Sequence, residues 1–232
     1  MTDAIAHPRS PAIPESLQEL ALERLEAEAV LEQVQLRDSD LSGAHAPGVA
    51  VRESRLRATR LAGAELEALE LADVELSGCD LANLRAGPRG GWIRTRLSNC
   101  RMTGLEFADG VLRDVILHGC RIDLASFGGA RLQRVTFEEC NLSQTDFLEA
   151  ELDSVRFTGC EMAATDLRGA RLRRCELRAN RLEQLRGVEA LRGAAMPWVD
   201  IVGAAGLWAQ ALGISVLDDP DDSSALVHAP AN

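Results

Sequence analysis

The 232-residue chain has no lysine, no tyrosine and few aromatic residues of any kind. Only 3% of the residues are aromatic although 46% are hydrophobic, so the interior cannot depend on large aromatic side chains as most globular cores do. All 25 basic residues are arginines, and 36 acidic residues give a formal net charge of -11, which argues against direct nucleic-acid binding. Long apolar runs and a charged-then-apolar leader are both lacking, so we expect no membrane association and no secretion signal.

What the sequence does contain is a five-residue repeat. Every fifth residue is large and apolar, apart from Ala46, in two runs: Leu31, Leu36, Leu41, Ala46, Val51, Leu56, Leu61, Leu66, Leu71, Leu76 and Leu81, and then Leu97, Met102, Phe107, Leu112, Leu117, Ile122, Phe127, Leu132, Phe137, Leu142, Phe147, Leu152, Phe157, Met162, Leu167, Leu172, Leu177 and Leu182. All five phenylalanines belong to this positional class. The runs differ in phase by one residue, which places an insertion near residues 87–91.

A second positional class lies two residues before each apolar position and holds small or slim side chains. It contains all six cysteines, of which Cys100, Cys120, Cys140 and Cys160 recur at a constant interval of four pentapeptides. Four pentapeptides therefore make one turn of a coil. A period of five fits neither the 3.6-residue turn of a helix nor strand alternation. It fits a square solenoid whose coils pair through backbone hydrogen bonds at about 4.8 Å.

This pattern resembles the pentapeptide repeat family, whose consensus is Ala-(Asp/Asn)-Leu-X-X. Three close matches carry the resemblance: Thr165-Asp166-Leu167, Thr145-Asp146-Phe147 and Cys79-Asp80-Leu81. The resemblance covers residues 31–185 and implies an all-β fold, a right-handed quadrilateral β-helix.

The two ends of the solenoid need caps because they expose apolar side chains and unpaired backbone. We predict a flexible tail over residues 1–13 and an N-terminal capping helix over residues 14–30, with Leu17, Leu20, Ala21 and Leu25 on one stripe. The alternative for that helix is partner binding. A C-terminal cap is predicted over residues 186–217, with a helix from about Val199 to Leu212, and a flexible tail over residues 218–232.

The C-terminal cap contains two tryptophans, more than is needed to cover one coil. It resembles the C-terminal helix through which gyrase-protecting pentapeptide repeat proteins form end-to-end dimers. The resemblance implies a homodimer, with an interface at Trp198, Ile201, Leu207, Trp208 and Leu212. A purely intramolecular cap is the alternative.

Motifs for catalysis or cofactor binding are lacking. There is no C-x-x-C, G-x-S-x-G, phosphate loop or H-E-x-x-H, and the four histidines are scattered. Cysteines spaced by one full coil form a line rather than a tetrahedral cluster, so we interpret them as packing residues. We therefore expect no catalytic residue, cofactor or metal, and a cytoplasmic, bacterial protein with reduced thiols.

The outward charges contain the candidate partner contacts. Residues 31–185 carry 24 acids and 21 arginines, so the rod itself is nearly neutral. Folding the chain into coils stacks Glu65, Glu106, Asp146 and Asp166 in one column, interrupted by Arg85 and Ser126. Arginines concentrate in residues 168–186, directly after an acidic stretch at 138–166. A solvated, self-neutralising surface is the alternative to a binding stripe.

The insertion offers a second candidate contact, Arg89 with Trp92. An exposed Arg-Trp pair on a bulging loop suits recognition of a protein. The alternative is a simple bulge with Trp92 placed at the tube wall.

The resemblance to quinolone-resistance members implies a non-enzymatic protein that binds a protein partner, as a DNA mimic that modulates or protects DNA gyrase or another type II topoisomerase. The competing expectation is a structural or scaffold repeat protein with an unrelated partner. The near-neutral rod and the arginine-rich segment at 168–186 depart from what a DNA mimic requires.

Overall fold

A computed structural model describes residues 5–215 of the chain. These residues form a parallel β-solenoid of about eight turns with few helices, which confirms the predicted pentapeptide repeat β-helix. Its strands follow one another as β1 Gln18–Leu20, β2 Val30–Glu32, β3 Val34–Arg37, β4 Ala50–Arg57, β5 Glu70–Ser77, β6 Gly91–Ser98, β7 Val111–His118, β8 Arg131–Glu138, β9 Glu151–Asp153, β10 Arg156–Thr158, β11 Arg171–Arg173 and β12 Glu176–Arg178.

The register of the strands reproduces the period of four pentapeptides. Leu56 of β4 pairs in parallel with Leu76 of β5, and Leu117 of β7 pairs with Phe137 of β8. Across the insertion the sequence separation between paired residues grows by one, since Leu76 pairs with Leu97. Because four pentapeptides make a coil, equivalent side chains stack directly above one another along the barrel axis.

Both predicted positional classes point inward. Each apolar position of the two runs is buried except Leu31 and Leu172, which are half-buried, and all six cysteines are buried. The phenylalanine rings form two adjacent stacks: Phe127 lies 5.2 Å from Phe147 and Phe137 lies 5.1 Å from Phe157, between ring centroids. The few aromatic residues of the barrel are therefore core residues.

The insertion lies between Ala86 and Trp92. The five-residue pattern of buried apolar positions resumes at Trp92, so the insertion does not place this side chain on the surface. Trp92 pairs with Leu71 and Leu112 of the neighbouring coils and is fully buried, with its ring 4.8 Å from that of Phe107. The prediction of Trp92 as a partner contact is therefore wrong, because the side chain occupies an apolar position of the repeat. Arg89 alone remains exposed on the bulge.

The predicted N-terminal capping helix is wrong as well. Residues 14–30 contain no helix, and β1 pairs in parallel with β3, with Leu20 beside Leu36. Leu20 and Leu25 pack against the core, so their spacing belongs to one further coil instead of a helical stripe. Residues 5–14, most of the segment predicted as a flexible tail, run along the side of the barrel and hydrogen-bond to it.

The C-terminal cap follows the barrel with a 3₁₀ turn over Val188–Leu191 and two short helices, α1 Trp198–Gly203 and α2 Ala205–Ala211. The predicted single helix is thus divided at Ala204, whose φ of -99° and ψ of 19° depart from helical geometry. No helix in the described part of the chain is long and apolar enough to cross a membrane. The tail predicted at residues 218–232 lies outside the described residues.

Candidate functional site

The barrel interior is packed with apolar side chains and cysteines. Within residues 5–215, no group of three or more His, Cys, Asp or Glu side chains could hold a metal ion. The six cysteines are free and buried. Burial raises the pKa of the Cys175 thiol to about 11, so this side chain stays a neutral packing group near pH 7. Any contact with a partner must therefore involve the outer surface or the ends of the barrel.

The predicted acidic column exists as a physical column. Parallel bridges join residues 45, 65, 85, 106, 126, 146, 166 and 186 in order along the barrel. Arg85 lies between Glu65 and Glu106, with nitrogen–oxygen distances of 2.9 Å and 3.4 Å. Asp166 forms an ion pair with Arg168 instead. Arginine therefore interrupts or flanks the acids, so the column is a mixed-charge surface and not a continuous anionic stripe.

The segregation of charge along the sequence has a geometric explanation. The acidic stretch 138–166 and the arginine-rich stretch 168–186 occupy neighbouring coils, so opposite charges that are separated by one coil of sequence meet. Arg171 contacts Glu151 at 3.2 Å, and Arg181 contacts Glu161 at 3.3 Å. The arginine-rich segment therefore neutralises the preceding coil rather than forming a free cationic patch.

A second charged column, which the sequence did not reveal, runs along the barrel about half a coil away from the acidic column. We define the Asp–Arg ladder as Asp73, Arg94, Asp114 and Arg134. Each of these residues has a positive φ between 48° and 57°. The Arg134 guanidinium donates through Nε and Nη2 to the two oxygens of Asp114, at 2.6 Å and 2.8 Å. Arg94 holds Asp73 in the same bidentate way, at 2.7 Å and 2.5 Å.

The ladder carboxylates are the most enclosed anions of the surface. The side chain of Asp114 is 3% exposed and that of Asp73 is 11% exposed. The hydrogen bond from Arg94 lowers the pKa of Asp73 against the opposing effect of burial, and the Ala12 amide adds to this. Burial alone would raise the pKa of Asp114, but hydrogen bonds from Arg134 and the Arg9 amide leave it lowered. Both groups are therefore firmly ionised acceptors.

The N-terminal segment covers this ladder. We call residues 5–14 the strap. The Arg9 amide donates to Asp114 Oδ1 at 3.2 Å, and the Ala12 amide donates to Asp73 Oδ1 at 3.0 Å. Arg156 donates to the carbonyl of Ile5 at 3.3 Å and lies 2.7 Å from the His7 ring. The strap thus runs antiparallel to the direction in which the coils advance. The spacing of Pro8, Pro11 and Pro14 is the one sequence signal that could have indicated it.

The C-terminal cap divides the residues predicted for a dimer interface into two groups. Leu207 and Trp208 pack against the core, and the Trp208 indole N–H donates to the carbonyl of Ile201 at 2.8 Å. Ile201 also lines an open cleft of about 1180 Å³ between the cap and the last coil. Trp198 and Leu212 point outward, with 77% and 75% of their surfaces exposed. The intramolecular cap and an exposed apolar surface are therefore both present.

Comparisons with known proteins agree with the repeat but identify no specific relative. Residues 113–186 match the family model described as "Pentapeptide repeat region". Full-length QnrB1, a plasmid-mediated fluoroquinolone resistance protein, is 17% identical, with a TM-score of 0.44 over 85% of this chain and 98% of that chain. HetL from the cyanobacterium Nostoc, which is involved in heterocyst differentiation regulation, is 17% identical, with a TM-score of 0.38 over 76% of this chain and 92% of that chain. A comparison with curated protein sequences found no match.

The family match covers three complete coils and part of a fourth, and the observed five-residue register extends well beyond it on the N-terminal side. Apolar residues, buried except for the half-buried Leu172, occupy that register from Leu36 to Leu182, with the single phase change before Trp92. Parallel pairing at the lag of four pentapeptides joins these coils into one solenoid. The barrel is therefore a pentapeptide repeat solenoid, and the family match itself covers residues 113–186.

Proposed function

We propose that the chain is a non-enzymatic binding protein that acts as a homodimer joined through its C-terminal cap. The observation that carries this proposal is an apolar ridge on the cap, formed by Trp198, Val199, Val202, Leu212 and Ile214, each more than half exposed. Apolar area left in water at one end of a closed rod favours association. A second copy offers the same ridge, and a two-fold axis at the rod end brings the two ridges together.

Trp198 is the sharpest test of this interface because it is the most exposed of these five residues, at 77%. We expect Trp198→Arg to convert the dimer to a monomer in light scattering or sedimentation equilibrium. The matched control is Leu124→Arg, which places the same charge at an exposed leucine on the barrel and should leave the dimer intact. A wild-type monomer, or a Trp198→Arg dimer of unchanged affinity, would reject the interface.

The finer form of the proposal follows the family resemblance: a DNA mimic that modulates or protects DNA gyrase and so confers resistance to a topoisomerase inhibitor. Its support is the end of the acidic column, where Ser126, Asp146 and Asp166 succeed one another with no intervening arginine in the column. Arg85 and Arg168 work against it, since each is paired with a column acid. The competing form is a scaffold protein whose partner recognises a mixed-charge surface.

A gyrase supercoiling assay, with and without a fluoroquinolone, separates the two forms. The gyrase form predicts inhibition or protection at micromolar protein, and predicts that Asp146→Arg abolishes it by placing a cation in the column. Glu183→Arg is the matched control, because that exposed acid lies outside the column. If the wild-type protein has no effect on gyrase, the gyrase form is rejected and the scaffold form stands.

The location that we propose is the reducing cytoplasm of a bacterium. All six cysteines are free, and five of them, from Cys79 to Cys160, stack one coil apart. Cys100 Sγ, for example, lies 3.5 Å from the carbonyl of Ser98, as a weak donor in a packed wall.

A further inference from the structure

The strap matches the ladder in its repeat distance. The half-buried residues of the N-terminal segment recur every three positions: Ile5, Pro8, Pro11, Pro14, Leu17 and Leu20. Ile13 is also half-buried and is the one residue outside this period. Three residues per turn is the period of a polyproline II helix, whose rise of about 3.1 Å per residue gives about 9 Å per turn. Two solenoid coils at about 4.7–4.9 Å each also span about 9–10 Å. One turn of the strap therefore advances by two coils.

The hydrogen bonds follow the same match. Arg9 and Ala12 are one strap turn apart, and their acceptors Asp114 and Asp73 are two coils apart, with Arg94 between them. The prolines, which have no N–H to donate, occupy the half-buried positions, while the amides between them reach the carboxylates. Between these positions, His7, Arg9 and Ser10 are exposed. The bonds between the strap and the ladder therefore come from backbone amides, while the prolines take the half-buried positions.

The barrel does not need the strap to pair its strands. All described strand pairs lie between Gln18 and Arg178, and the strap joins them through side-chain-to-backbone hydrogen bonds, the Arg156–His7 side-chain contact and packing. A segment held in this way can leave the barrel without opening a coil. Its departure would uncover Asp73 and Asp114, each already oriented by a bidentate arginine.

We propose that the Asp–Arg ladder is a binding track for an extended, proline-containing segment of a protein partner, and that the strap is its intramolecular occupant. The segment that fits has a P-x-x-P pattern with free amides between the prolines, because this pattern presents one donor and one proline face for every two coils. The proposal deepens the protein-binding function proposed above and rests on it. It concerns a face of the barrel that the C-terminal dimer does not use.

The test uses the full-length chain with its own strap weakened. Pro8→Gly together with Pro11→Gly removes the fixed backbone of the strap and leaves every ladder residue in place. The probe is a fluorescein-labelled peptide of residues 4–15, followed by fluorescence anisotropy. We expect saturable binding to this variant and binding at least tenfold weaker to the wild-type chain, whose strap occupies the track. No saturable binding to a variant that retains the wild-type circular dichroism spectrum would overturn the proposal.

Two altered peptides make the test independent of any further change in the protein. Methylation of the Arg9 amide removes the donor to Asp114, and we expect at least about tenfold weaker binding, as for the loss of a hydrogen bond to a charged group. Methylation of the adjacent Ser10 amide is the matched control and should leave affinity within about twofold. Equal affinity of the two methylated peptides would show that hydrogen bonds from the peptide amides do not contribute to binding, and would overturn the proposal. The dimer and gyrase assays would be unaffected by this result.

Discussion

The two charged columns of this barrel have the same spacing and both combine acids with arginines, but they differ in what surrounds them. On the acidic column, Arg85 and Glu106 meet at 3.4 Å with 54% and 61% of their side chains exposed. On the Asp–Arg ladder, Arg134 forms an ion pair with Asp114 at 2.6 Å, with 22% and 3% of the two side chains exposed. Exposed pairs contribute little because water screens them and their side chains are mobile, whereas an enclosed bidentate pair is costly to break.

This contrast shows why a count of charges does not locate a binding surface in a solenoid. Both columns arise from the lag of one coil, which brings acids and arginines of neighbouring coils together. Within residues 5–215, only the ladder has a segment of chain lying over it, with amides at 3.0 Å and 3.2 Å from its carboxylates. The ladder, which is covered and has oriented acceptors, has the arrangement of a binding site. The acidic column, which is open and has mixed charges, has the arrangement of a solvated surface.

The largest difference between the columns should appear when one ladder acid is removed. We expect Asp114→Ala to lower the free energy of unfolding by about 3–5 kcal/mol, because Arg134 is left enclosed without its partner and the Arg9 amide loses its acceptor. Urea denaturation measures this cost. Asp114→Asn, which retains an acceptor oxygen, should cost less. A loss below about 1 kcal/mol for Asp114→Ala, the range of an exposed pair, would remove the distinction between the two columns.

Acidification should weaken the ladder next. The pKa values of Asp73 and Asp114 are lowered by folding, so their stabilisation is complete above the unfolded value of 3.8 and is lost as the pH falls through the folded values. We expect the melting temperature to fall between pH 5 and pH 2.5, and to fall less in the Asp73→Asn, Asp114→Asn double variant. The remaining acid sensitivity belongs to other acids of lowered pKa, including Asp153 and Asp166. Identical pH profiles for the two proteins would contradict the ladder's role.

Weakening the strap should have a smaller effect on stability. Pro8→Gly with Pro11→Gly gives the unfolded chain more freedom and loosens the strap, which we expect to cost about 1–2 kcal/mol in urea denaturation. Ala6→Gly with Ser10→Gly is the matched control, since these exposed positions lie between the half-buried ones. A control that costs as much as the proline variant would mean that the prolines do not anchor the strap.

The smallest effect belongs to the open column. Glu106→Gln removes a carboxylate that faces Arg85 at 3.4 Å in water, and we expect the free energy of unfolding to change by less than about 0.5 kcal/mol. The same urea titration used for Asp114→Ala makes the two columns directly comparable. A cost above about 2 kcal/mol, well beyond the range of an exposed ion pair, would place Glu106 in the same class as the ladder acids.

The sequence predicted the interior because the repeat is a local constraint. Phe137 and Cys140 are buried as their positional classes require. The same register contains Trp92, which lies one period before Leu97, yet its neighbours Gly87 to Gly91 suggested an exposed loop. The sequence left both interpretations open, and the choice depended on whether the insertion ended before or after the tryptophan.

The sequence could not predict the ladder because its contacts are remote. Arg9 and Asp114 are separated by 105 residues, and Ala12 and Asp73 by 61. No local pattern distinguishes Asp114 from an ordinary outward acid. In the segment that follows the strap, Leu17 and Leu20 matched a helical stripe as well as the three-residue period, so the N-terminal segment was assigned to the wrong structure. The C-terminal cap was predicted in outline, but its division between a half-buried and an exposed tryptophan depends on how the two short helices pack.

Amide hydrogen exchange in the strap, followed by NMR on the full-length chain, tests most directly whether the N-terminus is held by the ladder carboxylates. We predict that the Arg9 and Ala12 amides exchange at least about tenfold more slowly than those of Ala6 and Ser10, and that Asp114→Ala removes the protection of Arg9 before that of Ala12. Four amides that exchange at one common, unprotected rate in the wild-type chain would contradict the occupied ladder and the binding track inferred from it.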